Sequence, residues 1–300
     1  MTQNIKAAWI AVDWGTSNMR AWALSASGSV LAQARSDKGM GGLTKAEFEP
    51  ALLALVDDWL DGPTPVIACG MVGARQGWVE APYAATPCPP LSSGFARVAS
   101  NDPRLDVYVI PGVKQMQPAD VMRGEETQIA GYLAQNPNWD GVICLPGTHT
   151  KWAHISAGEI VSFQTFMTGE FFATLASHTV LRHSVAQDGW DDAAFETGLS
   201  DAYARPEKLA GRLFSLRAEG LLHDLPGSSA RARLSGLLIG AELASAKPYW
   251  LGQQIAVIGA GALASLYVKA LAMQAVFATQ VNAEAATLAG LTAAYRQLKG

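Results

Sequence analysis

Ala8-Trp9-Ile10-Ala11-Val12-Asp13-Trp14-Gly15-Thr16-Ser17-Asn18 begins as an apolar run and ends in a carboxylate, a glycine and small polar side chains. The run over Ala8 to Val12 reads as a buried strand and the residues after it as a turn. Met19 to Ala26 reads as a second strand and Val30 to Arg35 as a third, with Ser27-Gly28-Ser29 turning between them. Near residue 141 the pattern returns. Gly141-Val142-Ile143-Cys144-Leu145 is a strand, Pro146-Gly147-Thr148-His149 a turn, Thr150 to Ile155 a second strand, Ala157-Gly158 a turn and Ile160 to Phe166 a third strand. Setting Gly15-Thr16 on Gly147-Thr148 aligns the two segments throughout, with the second glycine turn, Gly28 against Gly158, displaced by two residues. The repeat reads as a diverged internal duplication, one copy founding each of two domains. Two hairpins could coincide by chance, and the matched Gly-Thr turns count against that.

Between and after the meanders the pattern is α/β. Thr44-Lys45-Ala46-Glu47 is a capping box, and Phe48, Leu52, Leu55, Val56 and Trp59 recur at helical spacing until Asp61-Gly62-Pro63. Short apolar runs follow at Val66 to Ala68 and Val107 to Ile110. Phe171 to about Ala246 is mostly helical; then come a strand at Ile255 to Ile258, a helix at Leu263 to Met273, a strand at Val276 to Val281 and a helix at Ala283 to Leu298. This order predicts a mixed sheet in each of two domains, 1–117 and 118–283, hinged near Gln117-Pro118, with a ligand cleft between them. The C-terminal helix, about 284–300, is free to return to the first domain.

Composition narrows the function. Among 300 residues, 22 Lys and Arg face 26 Asp and Glu, a net charge of −4 that argues against nucleic-acid binding. Apolar residues make up 49% and charged residues 16%, which excludes a disordered chain. Cys69, Cys88 and Cys144 are too far apart for a C-x-x-C site, and their odd number fits a reducing compartment. Neither Ala7 to Val12 nor Ile255 to Val268 reaches the ~18 residues of a spanning helix. The expectation is a soluble cytoplasmic protein with no membrane or nucleic-acid partner.

Five segments could carry chemistry. Asp13 and the turn Gly15, Thr16, Ser17 and Asn18 offer a carboxylate for hydrated magnesium and backbone and hydroxyl donors for phosphate; a plain polar hairpin is the alternative. Gly147, Thr148, His149 and Thr150 repeat the device, with Lys151 added to offset charge on a transferred group. Gly259, Ala260 and Gly261, between a strand and a helix, suit close approach of an adenosine better than of NAD, because the next strand ends in Gln280-Val281-Asn282 without the acid a ribose would need. Asp120-Val121-Met122-Arg123-Gly124-Glu125-Glu126, read as the start of a helix at the domain junction, supplies candidate general bases in Glu126, Glu125 and Asp120. Cys69-Gly70-Met71-Val72-Gly73-Ala74-Arg75-Gln76 places an arginine and an amide in a glycine-rich loop suited to a carboxylate or polyol; Arg20 and Arg123 are further candidates to hold a substrate carboxylate. No pair of the five histidines has i, i+4 metal spacing.

Asp13-Trp14-Gly15-Thr16, Gly70-Met71-Val72-Gly73, Met122-Arg123-Gly124-Glu125-Glu126-Thr127-Gln128, Leu145 to Trp152 and Phe166-Met167-Thr168-Gly169-Glu170 resemble, in order, the signature segments of the 2-dehydro-3-deoxygalactonokinase family. That resemblance implies the actin, sugar kinase and Hsp70 ATPase superfamily, with two ribonuclease-H-like domains around a cleft. It also implies ATP-dependent phosphorylation of 2-dehydro-3-deoxy-D-galactonate at its 6-hydroxyl in galactonate breakdown, with Mg2+. The pair Glu125-Glu126 is similar to the Gly-x-Glu-Glu segment of related exopolyphosphatases, whose second glutamate is the proposed base, which ranks Glu126 first, Glu125 second and Asp120 third. One departure stands out: where the superfamily's second phosphate loop begins with aspartate, this chain has Leu145 or Pro146, so that place offers no carboxylate to a metal. The rival readings are a kinase for another sugar acid, an exopolyphosphatase-like phosphohydrolase, which the lack of basic runs disfavours, and a non-catalytic sugar-responsive regulator.

Overall fold

A computed structural model of the chain describes residues 5–300. The first half runs β1 (Trp9–Trp14), β2 (Met19–Leu24), β3 (Val30–Ser36), α1 (Phe48–Val56), β4 (Thr64–Gly70), β5 (Tyr83–Ala85), β6 (Ala96–Arg97), β7 (Leu105–Val109), β8 (Gly112–Gln115), β9 (Asp120–Met122) and α2 (Glu125–Gln135). The second runs β10 (Gly141–Leu145), β11 (Thr150–Ser156), β12 (Glu159–Phe166), α3 (Thr168–His178), α4 (Asp192–Ala204), α5 (Leu209–Leu222), α6 (Gly227–Ser245), α7 (Lys247–Trp250), β13 (Ile255–Gly259), α8 (Gly261–Ala272), β14 (Thr279–Asn282) and α9 (Ala283–Lys299).

Among the described residues two sheets repeat one topology. The first has the order β3-β2-β1-β4-β7-β6 and the second β12-β11-β10-β13-β14. In each, a three-strand meander is extended from its first strand by two further strands that pair in parallel, β4 and β7 in one, β13 and β14 in the other. The shared five-strand order is the duplication read from the Gly-Thr turns. A third sheet, β5-β8-β9, has no counterpart in the repeat, and strands as short as three residues leave no periodic signal to find.

The chain divides into two compact units. One comprises residues up to Trp139 with Ile155–Ser162 and Ala283–Gly300; the other comprises Asp140–His154 and Phe163–Asn282. The first unit therefore runs beyond the expected division after residue 117, because α2 packs along α9 within it. Residues 120–122, expected at the start of a helix, are strand β9 paired to β8, and the helix opens at Glu125.

In the first unit both faces of the six-stranded sheet are covered. Ile10, Val12 and Trp14 enter a core with Phe48, Leu52 and Val66, while Trp9 and Ala11 enter another with Ile67, Cys69 and Leu291. Side chains alternate along a strand, so Asp13 lies on the same face as Trp9 and Ala11, the face covered by α9. The capping box is present, with Glu47 Oε2 accepting from Thr44 N at 2.8 Å, but it closes a 3-10 turn that leads into α1. α1 then stops at Val56, ahead of Asp61-Gly62-Pro63, and a 3-10 turn over Asp57–Trp59 follows it.

α2 and α9 touch backbone to backbone. A Cβ at Gly131 would overlap the Ala286 carbonyl oxygen, and one at Gly290 would overlap that of Thr127. Gly290→Ala should therefore cost about 1–3 kcal/mol from overpacking, read as a lower midpoint in chemical denaturation. Gly211→Ala, exposed in α5 with open space around it, should instead gain about 0.5–1 kcal/mol.

Candidate active site

In the first unit the functional side chains gather where β1 and β4 end, the edge of an open α/β sheet at which ligands bind. Register sets Asp13 beside Arg20 of β2 on one side and Cys69 of β4 on the other. Arg20 Nη2 donates to Asp13 Oδ2 at 2.5 Å and Nη1 to Glu284 Oε2 at 3.3 Å, and Arg35 Nη2 reaches the same Glu284 oxygen at 2.8 Å. Asp13 thus ends a chain of alternating charge that is anchored in the first turn of α9. Its other oxygen, Oδ1, meets the Cys69 thiol at 3.8 Å. Burial pushes the Cys69 thiol well up, and the charges of Asp13 and Glu126 push it further, so the sulfur stays protonated.

Glu126 approaches this cluster from α2 and is fully buried. Burial, and next the charge of Glu125, push its carboxyl up to about 7; its own backbone N–H, that of Gly124 and the Thr127 hydroxyl pull the other way. Gly124 N donates to Oε2 at 2.7 Å and Thr127 Oγ1 to Oε1 at 3.1 Å. Gly124 has φ +108, and a Cβ there would lie 3.3 Å from the Gly70 Cα, so the turn into α2 can press against the end of β4 only with glycine. A buried carboxyl raised to about 7 can take up and release a proton near neutral pH, as a general base must.

Other sequence candidates fall elsewhere. Glu125 accepts from Arg123 N at 3.1 Å, and Asp120 lies in β9 opposite Gln115. Arg123 is buried, donates from Nη2 to the Ala81 carbonyl at 2.8 Å and stacks 4.2 Å over the Tyr83 ring, while Nε and Nη1 have no hydrogen-bond partner. Arg75 is the open one: its side chain is 81% exposed, 3.4 Å from Glu80, and Gln76 is exposed next to it. The first phosphate-type loop is braced by a segment the sequence reading passed over, for Met40 N and Gly41 N donate to the Gly15 and Thr16 carbonyls at 3.0 and 2.9 Å.

In the second unit, the loop from β10 to β11 and the start of α8 share a cavity of about 680 Å3. Gly147 and Thr148 line it, with Thr168, Gly169 and Phe172 of α3, Ser235, Leu238 and Ile239 of α6, and Ala262, Leu263, Ser265, Leu266, Tyr267 and Lys269 of α8. The lining starts one residue past Gly259-Ala260-Gly261. Walls of leucine, isoleucine and aromatic side chains, with a few hydroxyls and the charged Asp192, Arg231 and Lys269, suit a flat heterocycle with a polar tail. Within the loop, Thr148 and His149 are exposed, whereas Thr150 and Lys151 open β11 and are buried. Thr150 Oγ1 bonds the Tyr267 hydroxyl at 3.0 Å, and His149 Nε2 bonds Glu170 Oε2 at 2.6 Å. Glu170 N donates to the Thr148 carbonyl at 3.0 Å, and a Cβ at Gly169 would overlap the Gly147 carbonyl oxygen, so α3 supports the loop from beneath.

The carboxylate that sequence reasoning missed is Glu242 of α6, buried among Trp152, Thr168 and Tyr267. Burial pushes it up to about 7 against three hydrogen bonds that favour its charge. Its signal was an acid inside the apolar run Leu237-Leu238-Ile239-Gly240-Ala241-Glu242-Leu243. Among the described residues, no three or more His, Cys, Asp or Glu gather as a metal cluster, and no helix is long and apolar enough to cross a membrane.

Duplicated ribonuclease-H-like sheets, each carrying a Gly-Thr loop after its first strand, define an actin-like ATPase fold of the sugar-kinase kind. The chain belongs to the 2-keto-3-deoxy-galactonokinase family, whose model matches residues 13–294. It is 40% identical over 299 residues to a probable 2-dehydro-3-deoxygalactonokinase of Rhizobium meliloti, covering 97% of each chain. It is 35% identical over 288 residues to the 2-dehydro-3-deoxygalactonokinase of Escherichia coli, covering 95% of this chain and 96% of that one. The crystal structure of a Sinorhizobium meliloti protein assigned the same activity superposes with a TM-score of 0.89 at 40% identity, over 97% and 96% of the two chains. The (R)-2-hydroxyglutaryl-CoA dehydratase component A of Acidaminococcus fermentans, at 11% identity and a TM-score of 0.54 over 97% and 99%, shares the fold alone. The chain is accordingly a sugar-acid kinase, and a kinase of this family uses ATP.

As a general base, Glu126, raised to about 7, would have to lose its proton to act. The kcat/KM of the enzyme should therefore rise with pH through about 7, and Glu126→Gln should remove that limb while lowering turnover roughly 10²–10⁴-fold. For stability the sign is opposite: the fold prefers the protonated carboxyl, so this contribution is complete below the ordinary carboxylate range and is lost as pH rises through about 7. Gly169→Ala, which leaves every proposed chemical group in place, should raise KM for ATP by about tenfold through the displaced 147–148 loop, measured against an unchanged KM for the sugar acid.

Proposed function

We propose that the chain transfers the γ-phosphoryl group of ATP to the 6-hydroxyl of 2-dehydro-3-deoxy-D-galactonate in galactonate breakdown. The observation that carries the reading is the buried Glu126 carboxyl at the start of α2, whose charge and that of Asp13 at the end of β1 both reach the Cys69 thiol at the end of β4. In the proposed step the substrate hydroxyl oxygen bonds to the γ-phosphorus, the bond from that phosphorus to the β-γ bridging oxygen breaks, and ADP leaves. The hydroxyl proton passes to Glu126, whose affinity near neutrality lets it accept the proton and release it again.

The Gly15–Asn18 and Gly147–Thr148 turns are the proposed phosphate binders, through backbone N–H and hydroxyl donors. The cavity along α8 takes the adenosine, and Lys151 is proposed to offset charge on the transferred group. Mg2+ fits Asp13: a single carboxylate, 20% exposed, suits an ion that keeps most of its shell in waters and phosphates. When bound, the ion would neutralise charge on the β- and γ-phosphate oxygens. Arg20 holds Asp13 from the other side and so fixes its orientation.

For the substrate carboxylate we assign Arg75, with Gln76 beside it. Arg20 is engaged by two carboxylates and Arg123 is stacked on Tyr83, whereas Arg75 has only its 3.4 Å approach to Glu80. The cytoplasm is the proposed location, where ATP is abundant and three unpaired, buried cysteines stay reduced.

Asp13→Ala should cut kcat on the order of 10²-fold or more in a protein that still unfolds cooperatively; an unchanged kcat with normal magnesium dependence would remove Asp13 from the mechanism. Wild type should favour the sugar acid over galactose by about 10²-fold or more in kcat/KM, and Arg75→Ala should erase most of that preference. Equal rates on galactose would refute the substrate class; a retained preference in Arg75→Ala would move the anchor to another arginine.

A further inference from the structure

Three hydrogen-bond donors from three different elements converge on Glu242. Trp152 Nε1 of β11 donates to Oε1 at 2.8 Å, Tyr267 Oη of α8 donates to Oε2 at 2.7 Å, and Thr168 Oγ1 at the start of α3 donates to the same oxygen. Indole N–H is a donor only, and the two hydroxyls can each turn a proton toward the carboxyl, so a carboxylate can accept from all three at once. With the tyrosine proton spent on Glu242, Thr150 Oγ1 donates to Tyr267 Oη at 3.0 Å, which extends the network to the first residue of β11 after the 147–149 turn. Thr168 and Tyr267 line the 680 Å3 cavity; Glu242, 3% exposed, does not. A buried carboxylate is costly, and apolar residues of similar size usually pack as well or better. Its position between two walls of one cavity gives that cost a use.

We infer that Glu242 is a positioning residue for the nucleotide: from behind the cavity wall it sets where Tyr267 and Thr168 stand, and so the width of the pocket that receives the adenosine. The inference rests on reading that cavity as the nucleotide site. Thr168 also begins the helix that supports the 147–148 loop, so the same carboxylate joins the heterocycle end of the pocket to its phosphate end. No step of the transfer passes through Glu242.

The test is the Kd of AMPPNP by calorimetry, with KM and kcat measured alongside for ATP and the sugar acid. Glu242→Leu, which orphans all three donors, should weaken AMPPNP about tenfold or more while kcat and KM for the sugar acid change by less than about threefold. Glu242→Gln keeps one acceptor oxygen and should recover most of the affinity. Tyr267→Phe should weaken AMPPNP about fivefold, and the double variant Glu242→Gln with Tyr267→Phe should be no worse than the worse single variant, because the two act as one unit. A Glu242→Leu protein that loses thermal stability but keeps AMPPNP affinity overturns the inference, as do single effects that multiply in the double variant; the second outcome decides the matter if Glu242→Leu does not fold. Ala262→Trp, which fills the cavity from α8, separates the two readings. If it leaves AMPPNP binding unchanged, the cavity is not the nucleotide site; if it abolishes binding while the Glu242 variants bind normally, only the role of Glu242 falls.

Discussion

The contact on which the first unit's chemistry depends is the backbone-to-backbone packing of α2 and α9. Two helices can approach this closely only where both present glycine, and Gly131 and Gly290 are those positions. The packing brings the start of α2, with Glu126, and the start of α9, with Glu284, to the strand ends that carry Asp13 and Cys69. Through Arg20, Glu284 then fixes Asp13, and burial under the same packing raises Glu126 toward neutrality. A side chain at either glycine would separate the acids that the proposed mechanism needs together.

The second unit uses a different constraint. Its cavity draws walls from the loop after β10, from α4 at Asp192, and from α3, α6 and α8, three helices that meet at the Glu242 carboxylate. Apolar packing alone resists compression better than it fixes orientation, since dispersion is non-directional. Hydrogen bonds from an indole and two hydroxyls add direction, and they hold Tyr267 at one angle against the cavity. Each unit thus buries a carboxyl raised to about 7 near a protonated thiol, Cys69 by Glu126 and Cys144 by Glu242, but only Glu126 also has a neighbouring acid, Glu125, whereas Glu242 is ringed by hydrogen-bond donors.

The local pattern of the sequence was enough for the architecture. Apolar runs of strand length, punctuated by Gly28 and Gly158, marked both meanders, and the repeated Gly-Thr turns marked the duplication that the two sheets share. Asp13, Gly147 and Thr148 were legible because a polar turn after a buried strand is a local feature. Glu126 was legible as a member of a short motif, though not as a fully buried carboxyl, since neighbours in sequence do not report burial. Boundaries were less secure: residues 120–122 turned out to be a strand because β8 was there to pair with them, which no window of nine residues could show.

What the sequence by itself determined is the order and type of most elements, the two Gly-Thr turns and the family. Tertiary structure alone decided which charges meet. Among Arg20, Arg75 and Arg123 the sequence favours Arg75 by its glycine-rich loop; folding pairs the first with Asp13 and Glu284, leaves the second open and stacks the third on Tyr83. Likewise Glu242 lies 90 residues from Trp152, 74 from Thr168 and 25 from Tyr267, yet bonds all three. The reason is physical: strand and helix periods are fixed by bonds within a few residues, whereas burial, pairing and the proton affinity of a carboxyl depend on groups that only the packed chain brings within a few ångströms.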